Sequence, residues 1–167
     1  IIDSAPTILK RLTMTTPIIT ARALLDAYWD LQIPIEPEAF AAKLGLRIVE
    51  TPAMGLMSSS LERDDKIICL NADACPEHRR FAVARELGRW CLGFSRRASA
   101  SELERLAVDP DEECRADQFA LELLMPGIAV KAMMEIHRVR DPVAHRKAFG
   151  VSSLALYTRL DALGYFL

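Results

Sequence analysis

The string Phe81-Ala-Val-Ala-Arg85-Glu86-Leu-Gly88-Arg89-Trp holds two arginines four residues apart, with a glutamate beside the first. Positions four apart share a helix face, so Arg85 and Arg89 project together from an otherwise apolar segment. Charged side chains seldom lie in a core unless they are paired. The spacing is that of His-Glu-x-x-His, a frame in which two imidazoles hold zinc and the glutamate is the general base. Here Arg stands at both outer positions. Zinc needs lone pairs; a neutral imidazole offers one and a guanidinium none. A unit cation about 4 Å from Zn²⁺ adds roughly 8 kcal/mol of repulsion at an effective dielectric near 20. No zinc is expected at this position, and Glu86 then has no metal-bound water to deprotonate.

The charges around this string are uneven. Pro76 to Arg97 carries six arginines against two glutamates, a net +4, and Glu102 to Glu122 carries eight acids against two arginines, a net −6. The pattern points to an ion-pair cluster in which Arg85 and Arg89 face Glu86 and Glu113, held by charge-assisted hydrogen bonds. Other donors are poorly placed to rebuild a metal site. His78 is about two helical turns, ~10 Å, from Arg85. Cys91 turns away from that face, Cys114 is expected to point into the core, and His137 and His145 lie further along. The four cysteines, Cys69, Cys75, Cys91 and Cys114, include no Cys-x-x-Cys pair and read as reduced thiols.

Overall, 21 Lys and Arg oppose 23 Asp and Glu across 167 residues. That balance excludes a polycationic nucleic-acid coat and an acidic disordered tail. No apolar run is long enough to span a membrane. The first residues lack a signal-peptide pattern, which makes a cytoplasmic location the expectation.

The elements that must carry these residues follow from periodicity. Ala21, Leu24, Leu25, Tyr28 and Trp29 mark a helix from Ile18. A second runs from Pro37 to Leu44, with Gly45 beyond its end. Leu46–Glu50 and Lys66–Asn71 read as strands, and Met54–Ser58 as a weaker one, which suggests a small, mostly antiparallel three-stranded sheet. The helix bearing Arg85 and Arg89 spans Pro76 to Phe94. Residues 95–109 read as a loop with a short helix, and the acidic helix runs from Pro110 to before Pro126. Two short helices, Pro142–Phe149 and Ser152–Leu163, close the chain, with Ser152 as N-cap. The organisation expected is a leader, tag or linker over 1–17, a core over 18–126, and a C-terminal helical subdomain of the same unit over 127–167.

Arg80-Phe81-Ala82-Val83-Ala84-Arg85-Glu86-Leu87-Gly88-Arg89 resembles the zinc-binding helix of the ImmA/IrrE family of metallopeptidases, with both zinc-binding histidines replaced by Arg. Glu113-Cys-Arg-Ala116-Asp117-Gln-Phe119-Ala120-Leu-Glu-Leu123-Leu124-Met125-Pro126 is similar to that family's next helix. Glu113, with Glu112 as the alternative register, stands where the third zinc ligand would be. Ala42-Lys43-Leu44-Gly45-Leu46 and Ala148-Phe149-Gly150-Val151-Ser152 extend the likeness over residues 18–166. The resemblance implies an α+β, zincin-like fold and a place in transcription regulation, as in phage or mobile elements.

Three functions compete. The first is a catalytically inactive metallopeptidase-like pseudoenzyme that uses no cofactor. It would bind a protein partner such as a helix-turn-helix repressor, as an antirepressor-type or toxin-antitoxin-type module. The second is an active repressor-cleaving peptidase with unusual ligands, motivated by Glu86 and Glu113. The third is DNA binding through the tail, where Phe149-Gly150-Val151-Ser152 reads like the turn of a helix-turn-helix. From Pro142 onward, Arg146, Lys147 and Arg159 against Asp161 leave only +2, thin for phosphate contacts. Direct nucleic-acid binding is therefore not expected.

Overall fold

The structure, a computed structural model, describes residues 16–52, 54–55, 57–94 and 109–166. Among them the chain forms seven α-helices and a three-stranded sheet, an α+β arrangement. Most of the leader and nearly all of the segment 95–109 expected as a loop lie outside the described residues.

Helix α1 (Pro17–Tyr28) starts on Thr16, whose side chain accepts from the Ile19 N–H. Helix α2 (Pro37–Lys43) ends at Leu44, followed by Gly45 at φ +76°. Strands β1 (Arg47–Thr51), β2 (Ser59–Glu62) and β3 (Ile67–Asn71) follow. The second strand lies later than the Met54–Ser58 expected. The Arg63–Lys66 turn decides this: counting back across it places Glu62 to Ser59 opposite Ile67 to Leu70.

The sheet order is β1-β3-β2, with β2–β3 antiparallel and β1–β3 parallel, so the sheet is mixed rather than mostly antiparallel. The most apolar strand, β3, takes the centre, with Ile68 and Leu70 buried on one face. The hairpin occupies one side of β3, and β1 pairs on the other. Alternation along a strand specifies which residues share a face, not which neighbour it pairs with or in which direction.

Helix α3 (Pro76–Cys91) packs beneath the sheet and against α4 (Pro110–Leu124). It stops before Phe94 because Gly93 adopts φ +77°, a left-handed conformation that ends helices. Gly88 brings α3 and α4 together: a Cβ added there would sit 3.0 Å from Phe119 Cδ1. Helix α5 (Gly127–Lys131) runs into a π-helical turn, Ala132–Ile136. Helices α6 (Pro142–Phe149) and α7 (Ser153–Ala162) are joined through Gly150 at φ +63°, and Ser152 caps α7 by accepting from the Ala155 N–H. One core unites these elements; Leu24, Ile68, Leu87, Phe119, Phe149 and Leu156 are buried within it. No described helix is long and apolar enough to cross a membrane.

Candidate functional site

Arg85 and Arg89 leave α3 on the side that faces α4. Arg85 Nη1 lies 3.3 Å from Glu113 Oε2, and Arg89 Nη2 contacts Glu113 Oε1. Arg89 Nε is 3.7 Å from Glu86 Oε2. One carboxylate from α4 thus receives both guanidiniums of α3. Glu86 and Arg89 are deeply buried, with side chains 4% and 5% exposed, whereas Glu113 is 28% exposed. Glu112, the alternative register, is not among the ion pairs recorded for the described residues.

The sheet supplies two further groups. Ser59 Oγ donates to Glu86 Oε1 at 2.8 Å, and Arg85 Nη2 donates to Ser58 Oγ at 3.2 Å. Register explains the first contact. Ser59 pairs with Leu70, and cross-strand partners point to the same face. Leu70 is buried and α3 packs on β2 and β3, which fits the delivery of Ser59 to Glu86. The hairpin also reaches the far end of α3, where Arg63 Nη2 donates to the carbonyls of Arg89 and Trp90, both at 2.9 Å. Its guanidinium lies over the Trp90 ring, and burial lowers its pKa. This arginine adds a side-chain donor to helix-end carbonyls that the Gly93 and Phe94 N–H groups of the following turn also bond.

Asp117 follows Glu113 by one turn, on the same face of α4. Among the described residues it makes no ion pair, and its Oδ1 is buried without a hydrogen-bond partner. Burial raises its pKa, while Arg85 and Arg89 pull the other way. Nothing in the sequence reading singled out Asp117, Ser58, Ser59 or Arg63. The four-residue spacing from Glu113 was a signal for Asp117. The serines and Arg63 carried none, because their contacts span 26 or more residues.

The remaining candidates stand outside the ion-pair cluster. His78 and His137 are exposed. His145 is buried, with Nε2 2.9 Å from the Val139 carbonyl and its ring stacked on Phe149. The Cys91 thiol is pushed up to about 12 by burial, which leaves it protonated and inert. Cys114, expected in the core, is exposed. It lies two residues before buried Ala116, about 200° around the helix. Among the described residues, no three His, Cys, Asp or Glu are grouped to hold a metal ion.

The tail's cations are largely committed within the fold. Arg159 is 4% exposed; its Nη2 lies 2.5 Å from Glu122 Oε2 and its Nε donates to the Met125 carbonyl. Arg146 pairs with Glu77 at 3.1 Å.

A groove of about 470 Å³ opens beside the cluster, between α3, α4 and α7, and Arg85, Asp117, Ser58 and His78 are among the residues that line it.

The family profile described as the IrrE N-terminal-like domain, Peptidase M78, matches residues 41–161, well over half of the chain. Among solved structures, a Mycobacterium tuberculosis transcriptional regulator shares the fold, with a TM-score of 0.62 and 15% identity. The match covers 95% of this chain and 51% of that one, so this chain spans about half the regulator's length. Comparison with curated proteins found no match.

Proposed function

This chain belongs to the IrrE N-terminal-like domain (Peptidase M78) family, and from that membership we propose that it is a regulatory binding module that does not cleave its partner. The family name implies a peptidase metal. The donor set does not fit one. Arg85 and Arg89 occupy the outer positions of the His-Glu-x-x-His frame and have no lone pair to give. Their charges oppose a divalent cation, and both are directed at Glu113, the remaining carboxylate that resembles a ligand. The observation that carries the reading is this double capture of Glu113 by the two guanidiniums. It closes with ion pairs a position where a metal site would need open lone pairs.

Glu86 supports the same reading. A general base must reach the proton it removes; Glu86 is buried and already accepts from Ser59. What remains beside the cluster is a groove able to hold part of another molecule. A DNA-binding repressor is the partner class that the resemblance to the ImmA/IrrE family implies. Binding without cleavage would make the chain an antirepressor-type or toxin-antitoxin-type component.

The test pairs the purified full chain with a candidate DNA-binding repressor. The two should co-elute with the regulator intact, and the chain should carry substoichiometric zinc by elemental analysis. Arg85→His with Arg89→His should restore stoichiometric zinc, because two imidazoles then stand four apart on the same helix face. Tightly bound zinc in the wild type, or regulator cleavage abolished by Glu86→Gln, would overturn the proposal.

A further inference from the structure

The cluster brings two guanidiniums, Arg85 and Arg89, against three carboxylates, Glu86, Glu113 and Asp117, a surplus of one negative charge. Glu113 takes both guanidiniums, and Glu86 has Arg89 and the Ser59 hydroxyl. Among the described residues Asp117 is the member left over, with Oδ1 buried and without a hydrogen-bond partner. It also lines the groove, whose volume of about 470 Å³ falls within the ordinary range for ligand sites. The lining is mixed: Met57, Phe81, Leu121 and Leu154 supply apolar wall, while Asn71, His78 and Arg85 are polar. Leu154 is 78% exposed, a large apolar side chain held at the rim of α7 rather than used in the core.

These features select the chemistry of an occupant. An apolar ligand would leave the Asp117 carboxylate further desolvated and still unpaired, which is costly. Arg85 on the lining is already engaged by Glu113 and Ser58, so an acidic ligand would have to compete for it beside the Asp117 carboxylate. A side chain with a long aliphatic stem and a cationic head satisfies both the apolar wall and that carboxylate, since Lys and Arg bury their stems on apolar surface while the head seeks a carboxylate.

We propose that this groove captures a polypeptide segment of the partner through one basic side chain, its stem along Phe81 and Leu154 and its head on Asp117. This rests on the reading of the chain as a partner-binding module and adds what it recognises: a Lys or Arg flanked by apolar residues. Asp117 sets the preference for charge, and the apolar walls contribute affinity whatever the charge.

The full chain is titrated into four fluorescein-labelled, amidated heptapeptides of sequence Gly-Ala-Leu-Xaa-Leu-Ala-Gly, with Xaa as Lys, Arg, norleucine or Glu. Fluorescence anisotropy should show the Lys and Arg peptides binding about tenfold more tightly than norleucine, the equivalent of one charge-assisted hydrogen bond. The Glu peptide should bind most weakly. Asp117→Asn should bring the Lys peptide down to the norleucine level while the variant melts no lower than wild type. Equal affinity for Lys and norleucine, unchanged discrimination in Asp117→Asn, tightest binding of the Glu peptide, or no binding of any peptide would each overturn the proposal. Cleavage of a peptide by the zinc-supplemented wild type, with the Lys preference intact, would instead overturn the non-cleaving reading and leave the assignment of Asp117 standing.

Discussion

Asp117 and Glu113 stand one helical turn apart, yet their surroundings give them opposite energetics. Glu113 pairs with two guanidiniums; Asp117 lines the groove with one carboxylate oxygen buried and without a hydrogen-bond partner among the described residues. Burial holds the Asp117 carboxyl above the usual aspartate range in spite of Arg85 and Arg89. The folded chain therefore binds this proton more tightly than the unfolded chain does. That contribution favours folding below the unfolded aspartate value, near pH 4, and is lost as the pH rises through the folded value. Asp117→Asn should accordingly melt higher than wild type at pH 7, with the gain fading below about pH 4. Matching melting curves at both pH values would contradict this. Glu113→Ala acts in the other direction. It strips two guanidiniums of a partner that is itself partly solvated, so the expected loss is about 1.5–3 kcal/mol, read from urea unfolding. The i, i+4 spacings of Arg85 with Arg89 and of Glu113 with Asp117 were legible in the sequence, because a helix face is a local property.

Helices α3 and α4 must approach closely for this cluster to form, and Gly88 permits it. A methyl group there would lie 3.0 Å from Phe119 Cδ1 and 3.1 Å from its Cβ. Gly88→Ala gains about 1 kcal/mol of helix propensity and incurs about 1–3 kcal/mol of overpacking. A net loss near 1 kcal/mol is expected, and Phe119→Leu in the same chain should recover most of it by opening the space. Stabilisation by Gly88→Ala alone would mean that the helices can separate freely. Helix starts and stops were largely readable in the sequence: proline opens α3 and α4, and Ser152 caps α7. The second strand was not. It was expected over Met54–Ser58 and lies at Ser59–Glu62, because the Arg63–Lys66 turn lays those residues against apolar β3.

On the scale of the whole molecule, a second buried ion cluster joins three helices distant in sequence. Glu122 of α4, only 2% exposed, is approached by Arg159 of α7 at 2.5 Å and by Arg22 of α1 at 3.1 Å. The Gly127 N–H also donates to it. Removing a buried partner leaves an uncompensated charge, so Glu122→Ala should cost about 3–5 kcal/mol, clearly more than Glu113→Ala. Chemical denaturation of the two variants side by side checks this order; a smaller loss for Glu122→Ala would mean that Arg159 finds water. The same cluster withdraws Arg159 from the surface, and Arg146 is paired with Glu77, so the tail offers phosphates fewer cations than its composition suggests.

The sequence by itself determined the local matters. It set the helical periodicity, the shared face of Arg85 and Arg89, and the fact that guanidinium groups lack lone pairs for a metal. These depend only on residue type and on spacing within a turn or two. Tertiary structure alone decided the partners: Ser59 on Glu86, Arg159 on Glu122, β1 parallel to β3, and Asp117 on the wall of a groove with no ion pair among the described residues. Each of those contacts, or its absence, is set by elements packed from far apart in the chain. Periodicity assigns a residue to a face, and only packing settles which group stands opposite it.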